Sequence, residues 1–561
     1  MMVDTLDRSD QDNDASITNL SKRRRVWLLT VASTDVLLVI TSMVALNAAL
    51  PDLALETSAT QGQLTWIVDG YTLVLACLLL PAGAIGDRYG RRGALLIGLA
   101  IFGLASIAPV MFDSPMQIII ARAVAGAGAA FIMPATLSLL TAAFPKSERN
   151  KAVGIWAGMA SSGAVFGFLG TGILMHYFSW QSIFYAFTAA AVGMFILTCT
   201  IGSSRDESAT PIDWIGAVLI GAAVAVFVFG VIQAPDRGWT NPVVWGCMAA
   251  GVSLAVAFAI VELRRTHPLL DIRLFTRPDF ATGAVGITFL FFANFGFFFV
   301  AMQYMQLILG YSPLGTAFAL VPLAIPILIL GATLHLYLPK IGLRTAVAVG
   351  LLLIAIGMFC MRVFDANSSY LEFLWPILIV SAGIGLCVAP TTSAIMGAVP
   401  DEKQGVASAV NDTTRELGAA IGIAVAGSVV AAQYSNLLRP ALAGFPEQVR
   451  GPALESLAQA LAVAGQMGPQ GRQVAQLAES AFLQSMHLSL LILAVIIAVA
   501  AVFVGIWAPG RNGQQLRFVQ RLRSRSPSSD DELGGPVPDH HDGGVRASAC
   551  DDGKHRAVDN P

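Results

Sequence analysis

WIVDGYTLVLACLLLPAGAIGDRYGRR, residues 66–92, joins a long apolar run to a polar turn. About 20 apolar residues are needed for a helix to cross a bilayer, and this run is long enough. It carries one acid near its start, Asp69, and ends in a glycine-rich loop with Asp87 and three arginines. A carboxylate inside a membrane costs about 2.5–3.5 kcal/mol on insertion scales, so Asp69 is expected to have a function.

The whole chain has the composition of an integral membrane protein. Of its 561 residues, 55% are hydrophobic and 12% are charged, whereas soluble domains average about 25% charged residues. The six cysteines show no spacing typical of a zinc site or a disulfide framework, so no metal site is expected. Fourteen apolar runs are long enough to span a bilayer. These runs cover residues 26–50, 64–84, 93–112, 116–142, 150–175, 180–201, 213–233, 243–263, 280–304, 315–338, 342–363, 373–398, 405–433 and 485–508.

Charges in the short loops predict the orientation of the spans. Lys and Arg occur in alternate loops, and the intervening short loops carry only Arg237. Because cytoplasmic loops are enriched in Lys and Arg, the first set is assigned to the cytoplasm, and both termini are expected there. The assigned residues are Arg88, Arg91, Arg92, Lys146, Arg149, Lys151, Arg205, Arg264, Arg265, Arg273, Arg277, Lys340, Arg344 and Lys403.

Two adjacent segments carry a family resemblance. The loop Gly83-Ala84-Ile85-Gly86-Asp87-Arg88-Tyr89-Gly90-Arg91-Arg92 resembles the signature between the second and third helices of major facilitator superfamily transporters. The preceding Trp66-Ile67-Val68-Asp69-Gly70-Tyr71 is similar to 14-helix drug:proton antiporters, in particular the pumps for quaternary ammonium compounds, methyl viologen and dyes. The resemblance extends roughly over residues 26–508 and implies an all-α fold of two six-helix bundles with two helices inserted between them.

The resemblance and the loop charges together predict the organisation of the chain. A long outer loop, rich in Ala, Gln and Gly, is expected to form two amphipathic extracellular helices around 449–461 and 474–482. The C-terminal segment is rich in Pro, Gly, Ser and Asp and is expected to be disordered. The predicted parts are a cytosolic tail (1–25), an N-terminal six-helix bundle (26–201), two inserted helices (213–263), a C-terminal six-helix bundle (280–508) with an extracellular insertion (434–484), and a disordered cytosolic tail (509–561).

The loop after the second span is expected to gate the cytoplasmic side. Glycines allow close backbone approach and a tight turn, and Asp87 can pair with Arg88, Arg91 or an adjacent helix end. A turn that only fixes topology would explain the arginines, but neither the acid nor the glycines. In the transporters that this loop resembles, such a cluster is broken and remade as the gate opens. The predicted gating residues are Gly83, Gly86, Asp87, Arg88, Gly90, Arg91 and Arg92.

Ionisable residues inside two other spans are candidates for proton coupling. Arg122 lies well inside the fourth span, where it must face protein or water. Its surroundings resemble the antiporter motif in which an arginine neighbours the proton site; snorkelling to the outer headgroups is the alternative. Glu416 lies near the middle of the thirteenth span, and Asp412, four residues earlier, shares its face. Glu416 is expected to bind a proton or a cation, and an ion pair with Arg415 or Arg122 is the structural alternative.

Two spans depart from the pattern of the family. The acid that the family commonly has nine residues before a helix-closing proline is replaced by Ser42, counted from Pro51. Asp35, seven residues earlier, is either a relocated proton site or a helix-start residue near the cytosolic surface, and we favour the second interpretation. In the fifth span Phe168 stands where the family has a proline, so the proline kink is not expected. The predicted packing face of this span consists of Gly163, Gly167 and Gly172.

Substrate is expected to bind near the bilayer middle. An acid flanked by aromatic side chains suits an amphipathic cation. The ninth span is rich in phenylalanine, and some of these rings could hold flat cations, although packing is the favoured interpretation. The predicted substrate residues are Asp69, Trp66, Tyr71, Glu416 and Asp412. The predicted proton-coupling residues are Arg122, Glu416, Asp69 and Asp35.

These features predict a proton-coupled exporter of amphipathic cations, working by alternating access in the bacterial plasma (inner) membrane. The expected partners are protons, small cationic molecules and membrane lipid, with the proton gradient in place of a cofactor, no nucleic acid, and a monomeric state. The alternative keeps the fold and exports an endogenous lipid or secondary metabolite. A polytopic membrane enzyme is disfavoured, since no nucleophile, histidine or metal-ligand cluster gathers at one membrane face.

Overall fold

The computed structural model describes residues 20–46, 49, 53, 56–57, 61–111, 114–204, 213–266, 268–400, 403–468 and 471–511. It contains 14 helices that are long and apolar enough to span a membrane. The predicted all-α membrane fold with fourteen spans is therefore confirmed. Most of the two predicted tails, together with Arg205 and Pro51, lies outside the described residues.

The spans are helical because backbone polar groups in hydrocarbon must be paired within their own segment. Two shorter helices, α14 (Glu447–Glu455) and α15 (Leu457–Gln466), precede the last span. The spanning helices are α1 (Lys22–Ala45), α2 (Gln61–Tyr89), α3 (Arg91–Met111), α4 (Pro115–Ala143), α5 (Lys146–Tyr177), α6 (Gln181–Thr198), α7 (Trp214–Arg237), α8 (Pro242–Arg264), α9 (Pro278–Gln303), α10 (Pro313–Leu320 with Ala324–Ala332), α11 (Leu334–Cys360), α12 (Tyr370–Gly397), α13 (Gln404–Ala441) and α16 (Gly471–Trp507).

Polar side chains determine where some of these helices begin. The carboxylate of Asp213 accepts hydrogen bonds from the amides of Ile215 and Gly216, each at 3.0 Å, at the start of α7. Ser369 and Glu372 form a capping box at the start of α12. Such caps satisfy amides that have no partner in the first turn of a helix.

Two connections differ from the sequence prediction. The expected loop at 83–92 is helical up to Tyr89, and only Gly90, with a φ of +112°, separates α2 from α3. Glycine takes this left-handed conformation without steric cost, so one residue is enough to make the turn. In the insertion predicted to be extracellular, the segment at 474–482 is not a separate amphipathic helix, because α16 already begins at Gly471.

The spanning helices pack as two groups that meet along α13 and along the pair α5 and α10. Except for α5 and α10, which are each other's main partners, α1–α6 pack mainly against one another, as do α9–α13 with α16, while α7 and α8 pair together. Helix α13 also contacts α2 and α4 of the first group, and α5 contacts α10 and α12 of the second. Side chains on the face of α13 that packs against α2 and α4 therefore lie at the boundary between the two groups.

Glycines on α5 allow it to approach both groups closely. A Cβ added at Gly163 would lie 2.7 Å from the Cβ of Ile40 in α1. Gly167 is equally crowded by α1, and a Cβ at Gly172 would lie 2.9 Å from Cδ1 of Leu314 in α10. These three positions have no room for a side chain, which is typical of close helix packing in membranes.

Candidate functional site

The carboxylate of Asp87 joins α2 to the start of α13. It accepts hydrogen bonds from the amide of Gly405 at 2.8 Å and from the amide of Val406 at 3.0 Å. Nε and Nη2 of Arg91 each lie 2.9 Å from the same carboxylate, which is 6% exposed. The first amides of a helix lack partners, and the helix dipole favours a negative charge there. Asp87 thus caps α13 from the other group, an arrangement that we call the α2–α13 contact.

Glycine makes the α2–α13 contact possible. A Cβ at Gly83 would lie 2.5 Å from the carbonyl oxygen of Gly405, so no larger residue fits there. Gly86 faces α3, where an added Cβ would make an ordinary 3.4 Å contact with Ala94. Arg88 is only half-buried, and its guanidinium lies over the neighbouring tyrosine ring at 5.5 Å. Among the predicted gating residues, Gly83 and Asp87 therefore make the direct contact with α13.

A related turn occurs in the second group. Gly342 also has a positive φ of +78°, and Nε of Arg344 donates to the carbonyl oxygen of Ala508 at 2.8 Å. In the first group, Nη2 of Arg92 donates to the carbonyl oxygen of Cys199 at 2.7 Å. Each turn ties an arginine to the end of the last helix in its own group, as expected for duplicated halves.

Arg122 is enclosed by protein, so the snorkelling alternative is wrong. It is 2% exposed, and its Nε donates to the carbonyl oxygen of Ile67 at 3.2 Å. Nη1 and Nη2 donate to the hydroxyl and carbonyl oxygens of Ser42 at 3.0 and 3.1 Å. The guanidinium lies 4.3 Å from the centre of the Tyr71 ring. In the part of the chain that the structure describes, no carboxylate lies within ion-pair distance of Arg122. A neutral serine thus occupies the position where the family commonly has an acid.

The predicted substrate residues of α2, which are Asp69, Trp66 and Tyr71, do not form a single cluster. Tyr71 is fully buried, and its hydroxyl donates to the carbonyl oxygen of Val39 at 3.1 Å. Residues five apart on an α-helix point about 140° apart, so Trp66 is on another face, where its ring lies 5.8 Å from that of Phe229 in α7. Asp69 is half-buried on the Trp66 side. Tyr71 therefore belongs with the buried arginine of α4, while Asp69 and Trp66 do not.

Two ionisable residues of α13, Asp412 and Arg415, pair within the helix, and Glu416 does not. Nη1 of Arg415 lies 3.4 Å from Oδ1 of Asp412, which also accepts a hydrogen bond from Nδ2 of Asn411 at 3.0 Å. Glu416 is 6% exposed, and no hydrogen bond or ion pair reaches its side chain within the described residues. It interacts electrostatically with Arg415 and with Tyr71 of α2. Glu416 is therefore a buried carboxylate without a bonded partner, at the boundary between the groups.

Two aromatic rings that the sequence did not single out contact Arg415. Its Cζ lies 4.5 Å from the centre of the Phe291 ring of α9 and 5.5 Å from that of the Trp156 ring of α5. Nε1 of Trp156 donates to Oγ1 of Thr136 at 3.2 Å, which fixes the indole. In the sequence, Trp156 is only one large residue in a glycine-rich helix. Its contact with Arg415 is not predictable from that pattern, because Arg415 belongs to the other group of helices.

Asp35 lies deep in α1, which corrects the expectation of a helix-start residue. Because α1 begins at Lys22, Asp35 is about 20 Å along the helix at 1.5 Å per residue. Its side chain has 0% exposure, and neither carboxylate oxygen has a hydrogen-bond partner among the described residues. Thr198 of α6 lies beside it without forming a hydrogen bond. The basic run that opens α1 stays near the surface, and the rise of the helix carries Asp35 inward.

Comparisons with known proteins give a consistent result. The family model of the Major Facilitator Superfamily matches residues 36–423. Multidrug resistance protein Stp of Mycobacterium tuberculosis (strain CDC 1551 / Oshkosh) is 32% identical over 499 residues, which are 86% of this chain and 92% of Stp. Methyl viologen resistance protein SmvA of Salmonella typhimurium (strain 14028s / SGSC 2262) is 30% identical over 451 residues, 79% of this chain and 90% of SmvA. The proton:xylose symporter XylE has the same fold, with a TM-score of 0.56 at 15% identity, covering 90% of this chain and 100% of XylE.

Proposed function

This chain belongs to the major facilitator superfamily, and we propose that it exports amphipathic cations in exchange for protons by alternating access. It is a multi-pass membrane transporter rather than an enzyme, and its relatives are drug-resistance efflux proteins. The proposed substrates are quaternary ammonium compounds, dyes and methyl viologen. The proposed setting is the plasma (inner) membrane of a bacterium, with a monomer whose termini are both cytoplasmic and whose energy source is the proton gradient.

The observation that carries this proposal is the unpaired carboxylate of Glu416. A buried charge without a partner is strongly unfavourable in a membrane, so this group needs either a proton or a bound cation. It lies where α13 meets α2, at the boundary between the two groups of helices. In alternating access this boundary opens to one side at a time. A proton and a cationic drug that compete for one carboxylate at such a boundary are exchanged across the membrane.

The other buried groups have supporting roles in this proposal. Arg122 has Ser42 as its partner instead of an acid, and its guanidinium lies over the ring of Tyr71. Asp35 is a second proton site, since it is buried and unpaired. The carboxylate of Asp69 binds the second positive charge of divalent cations such as methyl viologen. The α2–α13 contact closes the cytoplasmic side, and it must break before substrate enters from the cytoplasm.

The driving force is sufficient for useful export. One elementary charge moved through 100 mV is worth about 2.3 kcal/mol. Exchange of one proton for one monovalent cation moves no net charge, so its driving force is the pH gradient, which sustains a concentration gradient of about tenfold per pH unit. Each further proton in the exchange moves one charge, and its energy of about 2.3 kcal/mol sustains about fiftyfold more, at about 1.4 kcal/mol for each factor of ten.

A second candidate is an exporter of an apolar lipid or secondary metabolite. The observation that favours it is a cavity of about 480 Å³ between α1, α5 and α6. Its lining is mainly apolar and includes Leu37, Phe187 and Met194, with the hydroxyls of Thr34 and Thr171. Such a cavity within the membrane region suits the hydrocarbon part of a lipid-like cargo.

Efflux from a pump-deficient bacterial host tests the proposal. Cells expressing this chain are loaded with ethidium, and efflux is followed by fluorescence with and without a protonophore. Protonophore-sensitive efflux is expected, together with resistance to methyl viologen. If neither cation is exported while a lipid or metabolite accumulates outside the cells, the second candidate replaces the first.

A further inference from the structure

The guanidinium of Arg415 has an unused donor edge. Arg415 is 1% exposed in α13, and its Nη1 is bonded to Asp412. Within the described residues, Nε and Nη2 are buried and have no hydrogen-bond partner. In an arginine these two nitrogens point their N–H bonds in nearly the same direction from one edge of a planar group. We call them the donor edge of Arg415.

The donor edge is held in a defined orientation. The rings of Phe291 and Trp156 contact the guanidinium, which is a favourable cation–π arrangement in a desolvated site. The ion pair with Asp412 fixes a third side. Because Trp156 is on α5 and Phe291 is on α9, the guanidinium lies between the two groups of helices. Its position is therefore within the region where superfamily transporters bind their substrates.

Buried charged donors need acceptors. Leaving such N–H groups unpaired is destabilising, more so for a charged group than for a neutral one. The donor edge matches two oxygen atoms that lie side by side in one plane, because two parallel N–H···O bonds can form together. Oδ2 of Asp412 is likewise unpaired within the described residues and would accept a bond from a ligand hydroxyl.

We propose that the donor edge of Arg415 binds planar aromatic substrates that carry two neighbouring oxygens, such as a ring carbonyl beside a phenolic hydroxyl. The inference rests on the proposed export function and names part of its substrate range. A cationic group on the same molecule would interact with Glu416, whose carboxylate lies close enough to Arg415 to interact with it electrostatically. The atoms of the donor edge are sealed from solvent in this conformation, so such a ligand binds when the two groups separate.

Two isomeric probes test the proposal. 1,8-Dihydroxyanthraquinone carries adjacent oxygens along one edge, whereas 2,6-dihydroxyanthraquinone has the same formula without that arrangement. Binding to the purified full-length protein in lipid nanodiscs is measured by tryptophan quenching at a mildly acidic pH, where both isomers are neutral. The 1,8 isomer is expected to bind about tenfold more tightly or better, which corresponds to one bond to a charged donor.

Two variants separate the donor edge from charge and folding. Arg415→Lys keeps the positive charge but lacks the planar pair of donors, so the preference for the 1,8 isomer should fall to about twofold or less. Arg439→Lys changes an exposed arginine of the same helix and should keep the wild-type preference. Equal binding of the isomers by the wild-type protein would overturn the proposal, and so would an undiminished preference in Arg415→Lys. Both readouts are ratios of affinities, so they judge the donor edge even if ethidium efflux shows that the export proposal is wrong.

Discussion

Replacing Asp87 by asparagine should release the start of α13. The carboxylate of Asp87 accepts two hydrogen bonds that cross between the groups, from the amides of Gly405 and Val406. The variant Asp87→Asn keeps one acceptor oxygen, presents an NH₂ group where the second acceptor was, and removes the negative charge that faces Arg91 and the helix dipole. The change is small in volume, so it acts on the α2–α13 contact and leaves the packing of α2 intact.

The magnitude follows from the two crossing bonds. A hydrogen bond to a charged group contributes about 1.5–3 kcal/mol. Losing one of them and weakening the other removes about 2–4 kcal/mol from the closed state. The equilibrium between closed and open forms then shifts by a factor of about 30–1,000, at about 1.4 kcal/mol for each factor of ten.

Hydrogen–deuterium exchange of the protein in nanodiscs measures this shift. The amides of Gly405 and Val406 should exchange faster by a comparable factor, because exchange follows the population of the open form. Asp213→Asn is the matched control, since it weakens a carboxylate cap on α7 without touching α13. If that control accelerates exchange at its own cap while Asp87→Asn leaves Gly405 and Val406 unchanged, the reasoning about the α2–α13 contact is refuted.

Other buried charges give predictions that proteoliposomes and resistance assays can check. Glu416→Gln should abolish ethidium efflux driven by an imposed pH gradient while dye binding stays measurable; full efflux would remove Glu416 from the coupling mechanism. Asp35→Asn should fold normally, since it removes an unpaired buried charge, and should reduce pH-driven efflux; unchanged efflux would show that Asp35 is not a proton site. Arg122→Ala should reach the membrane at wild-type levels, measured by immunoblot, but confer no resistance to ethidium; persistent resistance would assign Arg122 a structural role. Asp69→Asn should impair methyl viologen export more than ethidium export, and an equal loss for both would assign Asp69 to coupling or structure.

The spans were predictable because the membrane leaves so few choices for the backbone. Hydropathy and loop charge locate each helix, since an apolar run of bilayer length must be helical in lipid. The exact positions of the turns between helices are harder to predict from the sequence. Residues Gly83, Gly86 and Gly90 could each have ended α2, but the helix runs to Tyr89 and packs against α13 at Gly83. That contact joins residues more than 300 positions apart, which local sequence does not encode.

Partners of buried charges were harder to predict than their positions. Spacing on a helix shows which residues share a face, so the inward placement of Arg122 could be expected. It does not show that Ser42 replaces the missing acid as the partner of Arg122, because that contact depends on how α1 packs against α4. Asp35 was misplaced for a different reason, because α1 begins at Lys22 and the rise of the helix carries Asp35 inward. Its neighbour Thr198 is on α6, so the sequence does not show that contact.

The pairing on α13 gives the site its charge balance. Arg122 and Arg415 supply two positive charges, and Asp412 and Glu416 supply two negative charges when both are ionised. Asp412 neutralises Arg415 at i, i+3, so the proposed exchange rests on Glu416, which has no ion pair within the described residues. A bound proton and a bound monovalent cation leave this set with the same net charge, which allows either one to replace the other at a single carboxylate. A divalent cation adds one further positive charge, and Asp69 of α2 is the acid that we propose offsets it.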